Sequence, residues 1–222
     1  MKDLLSRAER FARRRHSGQF RKGAAKEPYI IHLEEVTSLV ERWGGTECEI
    51  AAAWLHDTIE DCPPTSAKEL KENFGSAVAS IVSELTDNKS LPKQKRKLLQ
   101  IENAHKKSPE AAFVKLADKT SNIGALIKSP PMGWSLPRRL DYISWAKKVV
   151  SKLCDLPKQG LELFTIRCDQ AELQAYIDLG TERMAQNAAL RIMERKSIRN
   201  GATDAQTDRF LINLMKGTLG KK

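Results

Sequence analysis

The sequence has few cysteines, no long apolar run, little aromatic content and no alternating pattern, and each shortage excludes something. Its four cysteines, Cys48, Cys62, Cys154 and Cys168, make no CxxC pair and no zinc-ribbon spacing. Neither a disulfide framework nor a structural zinc is therefore expected to organise the fold. The N-terminus carries no apolar signal-peptide core, and with the thiols read as reduced the expected compartment is cytoplasmic. No apolar stretch approaches the roughly 20 residues that a helical membrane span needs, so no membrane partner is expected. Aromatic residues make up only 6%, too few for a base-stacking surface, and no nucleic-acid recognition motif is present, which disfavours nucleic acid as a partner. Runs alternating at the two-residue period of strands are also missing. An all-α fold remains.

At 222 residues, the chain can bury a sizeable core as one domain with an appendage. Lys and Arg number 38 against 28 Asp and Glu, a net charge of +10. Several of the acids cluster near residue 57, so the rest of the surface is more basic still. Such a balance calls for an anionic partner, and a small polyphosphate meets it as well as a polymer would.

Helical periodicity recurs along the chain. Residues 3–16 place Leu4, Leu5, Ala8, Phe11 and Ala12 on one side, with Arg7, Arg10, Arg13 and Arg14 around the rest. A loop over 17–29 follows, with two glycines and a proline. Residues 30–43 form a second helix that carries His32 in its first turn and stops at Gly44-Gly45. Thr46 with Glu49, and Ser66 with Glu69, have the spacing of capping boxes. Phe74-Gly75 ends the helix that follows Ser66, and another runs over 76–85. Seven Lys or Arg against the single acid Glu102 mark residues 89–107, helical after Pro92. Ser108-Pro109 opens a helix to about Lys128, and residues 135–153 form the next. Beyond Leu156-Pro157, segments over 159–199 and 204–216 have enough apolar residues to dock a helix but not to build a second core. The expected division is a domain over 1–156 and a helical extension over 157–222, which could also join copies of the chain.

The stretch His56-Asp57-Thr58-Ile59-Glu60-Asp61 follows the apolar run Ile50 to Leu55. In a continuous helix, His56 and Glu60 would share one face and Asp57 and Asp61 the next. An unpaired buried carboxylate costs several kcal/mol, and a divalent cation would remove that cost. The residues alone leave a second reading open: a solvated helix end stopped by Pro63-Pro64, with His56 a hydrogen-bonded core histidine. Lys115, Asp118 and Asn122 likewise share one face of a largely apolar helix, where a buried Asp–Asn pair is the alternative to a ligand. Together, His32, His56, Asp57 and Asp118 offer two imidazoles and two carboxylates, a set suited to Mn, Fe, Co or Zn with positions left for water.

A wider set of motifs resembles a known family. They are HSGQFRKG at 16–23, EPYIIH at 27–32, AAAWLHDTIED at 51–61, FG at 74–75, LTDNKSLPK at 85–93, VKLADKTSN at 114–122 and GWS at 133–135. In this order and spacing, the sequence resembles the HD-domain hydrolases of the Rel/SpoT family, especially the stand-alone small alarmone hydrolases related to the metazoan SpoT homologue. The resemblance runs from about Ala8 to Val150 and implies an HD-domain phosphohydrolase helical bundle. It implies that His32, His56, Asp57 and Asp118 hold one divalent ion, usually manganese, while Glu60 and Asp61 act on water beside it. Arg21, Lys22 and Asn122 match substrate contacts, as do Lys93, Arg138 and Tyr142, and helical spacing adds Lys115. The implied reaction is metal-dependent 3′-pyrophosphohydrolysis of the alarmone (p)ppGpp to GDP or GTP and pyrophosphate, so the expected partner is a polyphosphorylated purine nucleotide. Hydrolysis of (p)ppApp, or of a nucleotide 2′- or 3′-phosphate such as that of NADPH, is an alternative, and a non-catalytic nucleotide-binding regulator is another. No synthetase region is matched, and residues 157–222 match nothing in the family.

Overall fold

In chain order the helices of the computed structural model are α1 (Lys2–Arg15), α2 (Ile30–Arg42), α3 (Glu47–Leu55), α4 (Thr58–Asp61), α5 (Ala67–Phe74), α6 (Ser76–Leu85), α7 (Lys93–Glu102), α8 (Pro109–Lys128), α9 (Leu136–Val150) and α10 (Lys158–Asp178), with a 3-10 turn at Ala104–Lys106. The structure describes residues 2–178 and positions 187, 189 and 192. The expected continuation of helix from 179 towards 199, apart from those three positions, and the helix expected over 204–216 lie outside the described residues. Among the described residues there is no strand, only the isolated bridges Phe20–Pro28 and Gly23–Pro131. The fold is all-α, as the missing alternation requires. No helix among them is long and apolar enough to cross a membrane.

α3 is the centre of the core, with α1, α2, α6 and α8 around it. Its run Ala51, Ala52, Ala53 and Leu55 is fully buried. A helix that is apolar on all sides is stable only when enclosed, and three small side chains let neighbouring backbones approach closely. Leu33, Val36, Leu39 and Val40 of α2 and Leu116 and Ile123 of α8 close around it with no exposed surface. Burying each large aliphatic side chain stabilises the fold by roughly 1.5–3 kcal/mol.

The helix starts follow local chemistry. The Thr46 hydroxyl accepts from Glu49 N, and the Glu49 carboxylate accepts from Thr46 N at 2.6 Å, so this capping box is complete. The second box is half made: the Ser66 hydroxyl accepts from Glu69 N at 3.2 Å, but the Glu69 carboxylate turns to the Arg15 guanidinium of α1. A charged donor outcompetes a neutral backbone amide for that carboxylate. Ser108 caps α8 by accepting from Ala111 N at 3.2 Å, with Pro109 opening the helix.

The expectation of one helix through Asp61 is corrected by the structure. α3 ends at Leu55, Asp57 adopts φ −99° and ψ −1°, and α4 restarts at Thr58. The Thr58 hydroxyl donates to Leu55 O at 2.6 Å, and His56 Nδ1 donates to Ala53 O at 2.8 Å. Side chains thus satisfy carbonyls that the interrupted helix leaves open.

α10 packs against α8 and α9, and its Phe164, Cys168 and Ala171 join the main core. Leu173 and Tyr176 form a second buried cluster with Ala189 and Ile192, against half-buried Leu136, Leu140 and Ile177. The four cysteines are free.

Candidate metal and nucleotide site

Three elements carry polar residues that converge inside the bundle. α2 supplies His32, the break between α3 and α4 supplies His56 and Asp57, and α8 supplies Asp118. His32, His56 and Asp118 each offer one ligand atom, and these atoms lie within 4.8 Å of one another. His32 Nε2 is 3.5 Å from Asp118 Oδ1 and 3.7 Å from Asp57 Oδ2. His56 Nε2 is 3.0 Å from Asp57 Oδ2 and 4.0 Å from Asp118 Oδ1. Both imidazoles are buried.

Each ring is held by its other nitrogen. His56 Nδ1 donates to the Ala53 carbonyl, which can only accept, so its Nε2 is the free ligand atom. His32 Nδ1 lies 2.9 Å from the Ser121 hydroxyl. His56 Nε2 is buried, and its one close polar neighbour is the Asp57 carboxylate, a poorly aligned contact at 3.0 Å that leaves the nitrogen open to a better partner. Two inward imidazole nitrogens and two carboxylates fit a divalent cation.

The charges are arranged accordingly. Burial alone would lower the pKa of His56, but Asp57 in contact and Asp118 behind it outweigh burial and raise it to about 9. Burial wins at His32, whose pKa is lowered. Burial opposes ionisation of both acids, yet Asp57 is held below its usual range by His56 and His32, and Asp118 by Lys119 and Lys115. Lys119 Nζ and Lys115 Nζ lie 3.2 and 3.5 Å from Asp118 Oδ2, leaving Oδ1 towards the imidazoles. The Tyr29 hydroxyl donates to Asp57 Oδ2 at 2.6 Å.

The other expected residues fall into three groups. Arg21 donates to Asn122 Oδ1 at 3.2 Å, and Asn122 Nδ2 donates to Asp118 Oδ1, so a chain of polar contacts links the 17–29 loop to the centre. Lys22, Lys93 and Arg138 form a basic rim: burial first, then the charges of Arg138, Lys22 and Arg96, lower the pKa of Lys93. Arg138 lies 4.6 Å over the Trp134 ring. Half-buried Tyr142 sits between Trp134 and Trp145, with ring centroids 5.5 and 5.2 Å away, and burial pushes its hydroxyl pKa up. Lys115 is buried against Asp118.

Glu60 and Asp61 stand on α4, immediately after the break. Glu60 accepts from Asp87 N at 3.1 Å and lies 3.4 Å from Arg96 Nη1. Burial, then the nearby carboxylates Asp87, Asp57 and Asp61, raise its pKa despite the Asp87 hydrogen bond. Asp61 pairs with Lys89. A half-buried carboxylate with a raised pKa is suited to taking a proton.

Sequence reasoning missed Tyr29, Ser121 and Lys119, which contact Asp57, His32 and Asp118, and Glu35, which contacts Ser121. Tyr29, Lys119 and Ser121 lie within the motifs at 27–32 and 114–122 and could have been suspected from their neighbours there. Nothing local marks Glu35, because its partners Ser121 and Arg167 are distant in the chain.

The HD-domain family matches residues 8–135. The chain is 43% identical over 152 residues to the guanosine-3′,5′-bis(diphosphate) 3′-pyrophosphohydrolase MESH1 of Xenopus tropicalis, covering 68% of this chain and 84% of the relative. It has the same identity and coverage with the Homo sapiens protein of that name. A solved structure described as a metazoan ortholog of SpoT that hydrolyzes ppGpp superposes with a TM-score of 0.71 at 37% identity, covering 75% of this chain and 94% of that one.

Proposed function

The chain belongs to the HD-domain family, and on that premise we propose that it is a metal-dependent 3′-pyrophosphohydrolase of (p)ppGpp. The observation that carries the reading is the convergence of His32, His56, Asp57 and Asp118, with both histidine Nε2 atoms turned inward, beside Glu60 and Asp61 and below a basic rim. His32, His56, Asp57 and Asp118 would hold the ion, with manganese the first candidate. A divalent cation bound there supplies charge stabilisation for phosphoryl oxygens and makes water more acidic.

The chain's own residues do the rest. Glu60, its pKa raised by burial and neighbouring carboxylates, takes the proton of the attacking water, and Asp61 orients that water. The new bond forms to the phosphorus on the nucleotide 3′-oxygen. The bond from that phosphorus to the 3′-oxygen breaks, the oxygen gains a proton, and pyrophosphate leaves. Arg21, Lys22, Lys93 and Arg138 offset the polyphosphate charge, Asn122 positions the ribose side, and Tyr142 with its aromatic neighbours forms a wall for the nucleoside. Lys115 acts through Asp118. We take residues 1–156 as the hydrolase domain and 157–222 as its helical extension, in a cytoplasmic setting.

The test is chromatographic product analysis after incubating the protein with Mn2+ and, separately, ppGpp, ppApp and NADPH, each with an EDTA control. Metal-dependent release of GDP and pyrophosphate from ppGpp is the expected result. Cleavage confined to ppApp or NADPH would reassign the substrate, and metal binding with no turnover would leave a nucleotide-binding regulator. Light scattering of the full chain tests whether the C-terminal segment also joins copies.

A further inference from the structure

His32 and His56 are held in different ways. For His56 the partner of Nδ1 is a backbone carbonyl three residues back, and its tautomer is settled within its own helix. For His32 the partner is the Ser121 hydroxyl on α8, which can either donate or accept. The hydroxyl has one proton, and its direction decides which His32 nitrogen carries a hydrogen.

Two further residues set that direction. Ser121 Oγ donates to Glu35 Oε2 at 2.8 Å, and Arg167 Nη1 of α10 lies 2.8 Å from Glu35 Oε1. Burial opposes ionisation of Glu35, but the Ser121 hydrogen bond and the Arg167 charge outweigh it and hold its pKa down. An ionised carboxylate only accepts, so the Ser121 proton points to Glu35 and its lone pair to His32. His32 must then carry its hydrogen on Nδ1, which leaves Nε2 free to face Asp57 and Asp118.

Arg167 is itself fixed in place. Nη1 also donates to Thr120 O at 3.0 Å. A Cβ at Gly124, one turn further along α8, would stand 2.9 Å from that nitrogen, so the guanidinium occupies the space a side chain would otherwise fill.

We propose that Arg167, acting through Glu35 and Ser121, is a positioning residue that fixes the tautomer of His32, so that the C-terminal segment takes part in building the metal site. This rests on the metal-site reading above. It assigns α10 a role beyond packing, because the hydrogen-bond chain crosses α10, α2 and α8 and ends on Nδ1 of a ligand ring, opposite the Nε2 that faces the site.

The experiment uses full-length protein. Imidazole 15N chemical shifts, assigned with His32→Asn, report the His32 tautomer in metal-free protein, and electron paramagnetic resonance of free Mn2+ reports affinity for the ion alone. Wild type is expected to show the Nδ1–H form. Glu35→Leu and Arg167→Met are expected to shift His32 towards Nε2–H and weaken Mn2+ binding about tenfold or more, with Arg167→Lys recovering most of both. Phe164→Leu, which loosens α10 without touching the chain of contacts, should lower the melting temperature and leave tautomer and affinity unchanged. Retention of the Nδ1–H form in Glu35→Leu and Arg167→Met overturns the proposal, as does an equal effect from Phe164→Leu. Wild type that bound no Mn2+ would count against the hydrolase reading instead, since the tautomer is read without metal.

Discussion

Metal-free protein should lose stability as pH rises because of His56, and the size of the loss follows from its surroundings. Its pKa is about 9 in the fold against 6.5 for the unfolded chain. A raised folded value means that the protonated ring stabilises the fold fully below about pH 6.5 and that the contribution is gone above about pH 9. Asp57 and Asp118 stay ionised throughout this window, since their pKa values are lowered. The displacement corresponds to about 3 kcal/mol in all, most of it lost across that interval. Urea unfolding of wild type and His56→Asn in EDTA, at a series of pH values from 6.5 to 9, isolates the effect. Lys107, lowered to about 8 by burial, titrates in the same way in both proteins and cancels, while His16 and His32, whose pKa values burial lowers and His56 lowers further, respond to the substitution as a smaller correction. The stability difference between the two proteins should shrink by about 2–3 kcal/mol as pH rises. A difference that stays constant would refute the pairing of His56 with Asp57 and Asp118. Saturation with Mn2+ should remove the dependence, because a ligating imidazole has already given up its proton.

Glu60→Gln and Asp61→Asn are expected to keep Mn2+ affinity while turnover of ppGpp falls by roughly 10²–10⁴-fold; equal loss of metal in both variants would contradict their assignment to water. Tyr29→Phe keeps the ring stacked on His16 at 5.0 Å but removes the donor to Asp57. It should cost about 1–3 kcal/mol of metal-free stability in urea titration, and no change would mean that water replaces the phenol. Gly160→Ala would set a Cβ 2.8 Å from Leu116 Cδ2 and 3.1 Å from atoms of Pro157 and Trp43. Overpacking of about 1–3 kcal/mol should exceed the helix-propensity gain of about 1 kcal/mol, lowering the melting temperature; a rise would show that α10 shifts to make room.

Much of this protein is legible in the order of its residues. The absence of strand alternation pointed to the all-α fold. Thr46 with Glu49 and Ser108 with Pro109 marked helix starts that the structure contains, because capping is chemistry between residues three apart. His32, His56, Asp57 and Asp118 could be singled out because short motifs carry them at recognisable spacing.

Other features depend on distant parts of the chain and had no local trace. The break at Asp57 is one, since helical periodicity continues through Asp61 while the Thr58 and His56 side chains take up the released carbonyls. Glu69 is another: its local partner was Thr46-like capping geometry at Ser66, but Arg15 of α1 claims it. The order of helices, their caps and the types of residue at the site are thus properties of neighbouring residues, set by backbone periodicity and short-range hydrogen bonding. Which nitrogen of His32 faces inward and how α10 enters the core were decided only by tertiary packing, because each needs groups brought together from separate helices.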